Sequence, residues 1–505
     1  MIKYCFLIIF LIIAITAYST QDVKTIDINE FYDLVLKEGS AVKLAEAELL
    51  TYLADVYDKR SEFNPVWSFY ANLTEENRPL ISSQRTGFTG EEMNVDGAGY
   101  GLNYSQKLRN GIDVSAGLSY QRQYQNTLPS ESKKSETEFT FTMDIPLASG
   151  SGHEVIFRKQ ISELMHEAAI LDFRHRVSGI VLNALIDYCR TGNSEKKMHV
   201  SERSYHAMQN IKEDTKKLID ANQIPAAEMN KVDAALYRKK AEKAYAETEF
   251  FENRHELIDK MGMMFDSYYN IEFEEYVFKT HEISGFSKEK MYEYISGAVS
   301  GREDIEASEK RVDAAVKYYE YVSDLMKDDI FIQADSDIKG LSEGDEAESL
   351  TGAWSDNRTD LSWSLTLMNQ FAGGSAAKKA EMIRACSQKK LAQIAYDNKV
   401  RSVEKEVAVA YRSMINAWIT LKASESSKDF SKESLQAENK KYNLGLSTIL
   451  DVLEVEDIYN QSEITFMDNH TQFVSAYLYL LHVRGVLLHK DKDGGFILEL
   501  SEHFK

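Results

Sequence analysis

Two periods of hydrophobic patterning alternate along this chain, and each repeats once. Over residues 28–63, Leu44, Ala45, Leu49, Leu53 and Val56 recur at helical spacing, which predicts an amphipathic helix. A much longer helical pattern covers 153–221 and a return helix 225–264. The second half repeats the order, with helices predicted over 287–328, 375–443 and 447–489. A helix of roughly 69 residues at 1.5 Å each is on the order of 100 Å long. Such helices need lateral partners, which predicts a coiled-coil bundle or a helical barrel.

Between the first and the long helix of each half the period changes to two. Val66 to Leu73, Tyr100 to Lys107, Ile112 to Tyr124 and Phe139 to Ile145 alternate aromatic or aliphatic residues with small polar ones, within a strand region spanning 65–147. Asn110-Gly111 marks a tight turn between the second and third of these. The second half offers Ile330 to Asp335 and Leu361 to Leu367, within 330–367. The polar segments 75–97, 125–137 and 338–358 read as exposed loops. This alternation fits a membrane barrel with lipid-facing and lumen-facing positions, or one face of a soluble sandwich.

The two halves are copies of one unit. Ala221-Asn222-Gln223-Ile224-Pro225 and Leu444-Gly445-Leu446-Ser447 both interrupt helical patterns, and Gly445 follows Asn222 by 223 residues (445 − 222). Gly and Asn are the residues that most readily take positive φ at a helix stop. Glu228 and Asp451 each follow six residues later, again 223 apart (451 − 228). Ser149-Gly150-Ser151-Gly152 and Ala372-Gly373-Gly374-Ser375 open the two long helices, and Arg412 follows Arg190 by 222 (412 − 190). The chain therefore divides into a leader over 1–19, a first repeat over 20–265, a second over 266–490 and a tail over 491–505.

Composition narrows the setting. The net charge of −21 argues against nucleic acid as a partner. Lys3, the apolar run Phe6 to Ile15 and Ala17-Tyr18-Ser19 have the layout of a cleaved secretory signal. A membrane anchor is the alternative, but the run is short for a span of ~20 residues. Cys5 lies in that segment, leaving Cys189 and Cys386, which read as packing residues rather than a disulfide. No other stretch has ~18 uninterrupted apolar residues, so a membrane could be crossed only as a closed β-barrel. Six strands are too few to enclose a water-filled pore, so the strands predict a homo-oligomer.

Over about residues 28–490 the chain resembles the outer membrane efflux protein family, the TolC-like channel-tunnels. Tyr442 through Glu454 carry the most specific match, the family's Tyr-x-x-Gly-x-x-x-x-x-Asp-x-Leu-Asp/Glu turn. Asn369-Gln370-Phe371-Ala372-Gly373-Gly374 is similar to its strand-to-helix passage, without the proline usual at Asn369 or Gln370. The resemblance implies an α+β membrane protein of two structural repeats, long coiled-coil helices plus β-hairpins. It implies a homotrimer with one β-barrel in outer-membrane lipid and a periplasmic α-helical barrel. The implied function is an export duct of a tripartite efflux pump or type I secretion system. Its partners would be a periplasmic adaptor (membrane fusion) protein and an inner-membrane transporter.

By position, Asp451 and Glu454 match the acidic pair of the family's pore constriction. At i, i+3 both would project from one helix face, although carboxylates there also favour a helix start through its dipole. Tyr442 and Glu228 match residues that latch the tip gate. The basic partner expected there is replaced by Ser447, and Lys231 is a candidate substitute cation. Leu444, Gly445 and Leu446 resemble the adaptor-contact motif, from which Asn222, Ile224 and Pro225 of the first repeat depart. The first repeat also holds two strands beyond the usual pair. Either three chains build an 18-stranded barrel in place of twelve, or the 100–124 hairpin is an embellishment outside the wall. An uptake porin and a non-channel coiled-coil envelope scaffold are the competing functions.

Catalytic motifs are missing. His166-Glu167 lacks a second histidine four residues on, and Asp491-Lys492-Asp493-Gly494-Gly495 lacks the later ligands of a calcium loop. Gly97-Ala98-Gly99-Tyr100-Gly101 opens a strand, not a helix. The expectation is a non-enzyme with neither metal nor cofactor.

Overall fold

The two long helices contain no proline, so nothing in their backbone interrupts the ladder of i→i−4 hydrogen bonds over 67 and 68 residues. The computed structural model describes residues 24–88, 90–126, 132–148, 154–221, 224–263, 271–273, 286–327, 329–343, 346–353, 359–370, 376–490 and 496–498. The leader over 1–19, the junctions at 149–152 and 372–375, Asn222 and most of the tail after 490 lie outside them. The elements run β1 (Lys24–Ile26), α1 (Ile28–Glu38), α2 (Ser40–Ser61), β2 (Val66–Pro79), β3 (Glu92–Lys107), β4 (Asp113–Gln125), β5 (Ser132–Ala148), α3 (Glu154–Asp220) and α4 (Glu228–Lys260). They continue as β6 (Ile271–Phe273), α5 (Lys288–Gly301), α6 (Glu303–Leu325), β7 (Asp329–Ser342), α7 (Glu346–Gly352), β8 (Thr359–Gln370), α8 (Ala376–Asn443), α9 (Ile449–Val483), β9 (Leu488–Lys490) and β10 (Phe496–Leu498). The described residues form two compact units that cut across the sequence repeats.

One unit, Leu50–Ala169 with Ser308–Tyr396, holds a six-stranded antiparallel sheet in the order β2-β3-β4-β5-β7-β8. Its register sorts the side chains by face, because residues directly opposite in a ladder share a face. Phe69, Leu102, Leu118, Phe139, Ile338 and Leu361 make one apolar row; Trp67, Tyr104, Ala116, Phe141, Ser336 and Trp363 make the next. A row of the opposite face reads Ser68, Asn103, Gly117, Thr140, Asp337 and Ser362. The apolar side chains are uncovered on both outer strands, with Leu73 88 % and Trp363 76 % exposed.

The strands are longer than their alternation suggests. The ends of segments 75–97, 125–137 and 338–358, expected as loops, are strand: Glu75 to Pro79 pair with Glu92 to Asp96, Ser132 to Glu136 pair with Gln121 to Gln125, and Ile338 to Gly340 pair with Thr359 to Leu361, while Glu346–Gly352 is a short helix. Polar residues on both faces erase the period-2 signal without removing the ladder hydrogen bonds. Within the chain the 100–124 hairpin belongs to the sheet, where β3 and β4 lie between β2 and β5.

In the other unit, formed by the described residues of Met1–Leu49, Ile170–Ala307 and Asp397–Lys505, helices pack around Phe31, Leu185, Leu257, Ile258 and Leu478. Single helices expected over 28–63 and 287–328 are each broken in two. Gly39 bends the first break, where a Cβ would lie 2.3 Å from the Val35 carbonyl oxygen and 3.1 Å from that of Lys260. Arg302 makes the second. Its side chain is buried, bonded to Asp304 through Nε (2.9 Å) and Nη2 (2.7 Å) and to Glu406 (3.0 Å) and the Val483 carbonyl (3.1 Å) through Nη1. Lys399 also reaches Asp304, at 2.5 Å. Burial works to raise the Asp304 carboxyl, but these cations hold it well below the usual carboxylate range. His175 stacks on His482 beside it, and burial pushes His482 down to about 4, so the pair adds no charge at neutral pH.

Three helices stop alike. Gly262, Gly445 and Gly485 have φ of 69°, 72° and 74°, and each sits where its N–H bonds the carbonyl three residues back while the next N–H bonds five back. This is the Schellman stop, whose left-handed residue favours glycine. An added Cβ at Gly445 meets nothing within 4 Å, whereas at Gly262 it meets the Glu38 carbonyl oxygen at 2.3 Å. Gly445→Ala should therefore cost only the left-handed penalty, about 1–2 kcal/mol. Gly262→Ala should cost more, read as the larger fall in thermal midpoint.

Candidate functional site

The turn between α8 and α9 is built from two motifs back to back. Gly445 closes α8: its N–H bonds the Tyr442 carbonyl and the Leu446 N–H bonds the Lys441 carbonyl, both at 2.9 Å. Three residues on, Thr448 caps α9. Its Oγ1 accepts from the Asp451 N–H at 3.3 Å, and Asp451 Oδ2 accepts from the Thr448 N–H at 2.9 Å. This reciprocal pair satisfies two amides that a helix start otherwise leaves open.

Asp451 is thus engaged at the helix start. The same Oδ2 accepts from Thr448 Oγ1 at 2.7 Å, and Ser447 Oγ lies 3.3 Å from it. Those bonds from Thr448 hold its carboxyl below the usual range. Ser447 also donates to Glu438, whose other oxygen takes Lys441 at 2.8 Å. Glu438, Lys441 and Thr448 were not among the expected site residues. Thr448-Ile449-Leu450-Asp451 is itself a capping-box pattern and marks one of them in sequence. Glu438 and Lys441 give no such signal, because they meet Ser447 only through the fold of the turn. Glu454, one turn further on, is exposed and has no ion pair among the described residues.

The first repeat's turn is built differently. Ile224 is half-buried and Pro225 exposed. The chain enters α4 through tight bonds from Glu228 N–H to the Pro225 carbonyl (3.1 Å) and from Met229 N–H to the Ala226 carbonyl (3.2 Å), without a side-chain cap. Lys231 pairs with Glu228 at 3.0 Å, three residues apart on the same helix. Among the described residues no hydrogen bond or ion pair links Glu228 or Lys231 to Tyr442, Ser447, Asp451 or Glu454. The expected site residues therefore fall into two separate clusters, one per turn.

What the second turn presents outward is apolar. Leu444 and Leu446 flank Gly445 and are 74 % and 75 % exposed, while Tyr442 is half-buried. Behind the turns the helices are cross-linked by charge. Lys239 of α4 reaches Asp457 of α9 at 2.7 Å, Lys212 of α3 reaches Asp233 of α4 at 2.7 Å, and Arg203 of α3 reaches Glu463 of α9 at 2.8 Å. Among the described residues no group of acidic, histidine or cysteine side chains is arranged to hold a metal ion.

No protein-family model matches the chain, and no curated protein matches it in sequence. Solved structures do match in fold. The Campylobacter jejuni CmeC outer membrane channel aligns over 91 % of this chain and 85 % of its own at a TM-score of 0.67 and 13 % identity. CusC, whose structures concern transmembrane channel formation, aligns over 93 % and 95 % at 0.67 and 12 %. The outer membrane protein VceC from Vibrio cholerae aligns over 90 % and 95 % at 0.64 and 14 %. The chain has the TolC-like fold of these proteins, long helices joined to an antiparallel sheet.

The capping box gives a local, pH-dependent expectation. Thr448→Ala should loosen the start of α9 by about 1 kcal/mol, read as faster hydrogen exchange at Asp451 and Val452. Because Asp451 is depressed on folding, its contribution is complete above the ordinary carboxylate range and is lost as pH falls through its lowered value. Protection there, taken relative to the intrinsic exchange rate at each pH, should fall on acidification in the parent chain, and less so in Asp451→Asn.

Proposed function

We propose that three copies of this chain form a passive export duct across the outer membrane. The sheets make the wall of a β-barrel in lipid, and the helices line a passage into the periplasm. A periplasmic adaptor docks at the helical turns and an inner-membrane transporter supplies the energy. One observation carries this reading: an antiparallel sheet with one exposed apolar face, one polar face and two unpaired edges. Lipid accepts the apolar face, water in a lumen accepts the polar one, and only closure on neighbouring copies satisfies the edges.

Other features agree. No described helix is long and apolar enough to cross a membrane, which leaves crossing to the sheet. Exposed apolar side chains on the helices, such as Leu391 and Phe430 of α8 and Tyr237 and Tyr245 of α4, suit lateral neighbours. An uptake porin needs no helices of 67 and 68 residues, and a purely structural scaffold needs no amphipathic sheet. The outward leucines, Leu444 and Leu446, suit an apolar adaptor surface. The first turn, with Pro225 and Ile224, offers that partner a stiffer and less apolar contact.

In the duct, Glu454 and Asp451 from three copies place six carboxylates around the lumen, a field that favours cations. Asp451 keeps its charge, but its Oδ2 is turned into the cap of α9, whereas Glu454 is exposed and has no ion pair among the described residues, so Glu454 supplies the larger share. Purified protein in a planar bilayer should conduct with cation preference. Glu454→Gln should reduce that preference more than Asp451→Asn, and the double variant should reduce it most. A silent bilayer would favour the scaffold reading.

A further inference from the structure

The first repeat carries more sheet than the second, and the excess can be located. The paired leading helices break with similar geometry, at Gly39 (φ −58°, ψ 125°) and Arg302 (φ −78°, ψ 128°). In both, the N–H bonds the carbonyl four residues back. The return helices end at equivalent glycines, Gly262 and Gly485. The breaks are 263 residues apart (302 − 39) and the stops 223 apart (485 − 262), so the first repeat holds 40 more residues in between (263 − 223). The long helices match in length to one residue, which puts the excess in the strands. It corresponds to the β3–β4 hairpin and its connections.

That hairpin is keyed into the sheet on both sides. Val66 to Pro79 pair with β3 without a bulge, and β4 pairs with β5 from Asp113 to Gln125. Leu102 and Leu118 continue the apolar row between Phe69 and Phe139. On the polar face the hairpin offers glycines where its neighbours need room. A Cβ at Gly101 would lie 2.6 Å from the Tyr70 ring, and one at Gly117 would lie 2.6 Å from Thr140 Oγ1. Strand glycines covered by neighbouring side chains are fixed parts of a curved wall.

We infer that the barrel of this protein has eighteen strands, six from each copy, with β8 of one copy pairing with β2 of the next. The inference rests on the proposed three-chain channel and adds its width. Six is an even number, so β2 and β8 run in opposite directions and the seam between copies is antiparallel, like every ladder within the sheet. Strands ~4.8 Å apart and tilted by ~40° give a backbone diameter of about 36 Å for eighteen, against about 24 Å for twelve. On the lumen side Gly99, Gly101 and Gly117 let Asn72, Tyr70 and Thr140 lie flat against the wall. The barrel then passes bulky hydrated solutes without sorting them, and selection falls to the helical part of the duct.

The full chain in lipid nanodiscs tests this in two steps. Its mass is measured first, and its barrel is then imaged in cross-section by electron cryomicroscopy. Three copies with eighteen strands and a wall about 36 Å across are the expected result. Three copies with twelve strands and the β3–β4 hairpin outside the wall would overturn the inference and leave the three-chain channel standing. Any other copy number would overturn the channel reading itself, and the strand count with it.

Discussion

An unpaired strand edge is intolerable in hydrocarbon, where no water can take its amide and carbonyl groups. In the proposed barrel that constraint falls on β2 and β8, the outer strands of the sheet. Both present uncovered apolar side chains, Trp67, Phe69 and Leu73 on one and Leu361, Trp363 and Leu365 on the other. A sheet with these outer strands is unstable as a lone surface in water and incomplete as a lone surface in lipid. Closure on further copies removes both problems together. The long helices follow from the same logic, because they are too polar for lipid and too long for a compact core.

Much of this was legible in the sequence, for reasons that can be named. Alternation reveals a strand where one face is apolar, as in Leu361 to Leu367. It fails where both faces are polar, as in Glu75 to Pro79, although the ladder there is continuous. Helical periodicity found the leading helices but not their breaks. Gly39 is crowded by the Lys260 carbonyl as well as by the local Val35 carbonyl, and Arg302 is fixed by Glu406 and the Val483 carbonyl; Lys260, Glu406 and Val483 are distant in sequence. No local window contains such partners.

At the turns, residues that share a spacing in sequence have different surroundings. Asp451 and Glu454 share the spacing of a paired acidic site, yet Asp451 is held in a capping box and Glu454 is not. Ser447 stands where a basic partner was expected, and its hydroxyl belongs to a local knot with Glu438 and Asp451. Lys231 serves Glu228 within its own helix. These clusters stabilise each turn separately.

In the proposed barrel one face of the sheet meets lipid and the other meets water. Adjacent residues of β8 test it directly, through Trp363→Cys and Ser364→Cys in a chain lacking Cys189 and Cys386. In native membranes, Ser364→Cys should react with a water-soluble maleimide and be spared by a lipid-confined reagent. Trp363→Cys should show the reverse. Equal reaction of both positions with the water-soluble reagent would contradict a membrane barrel.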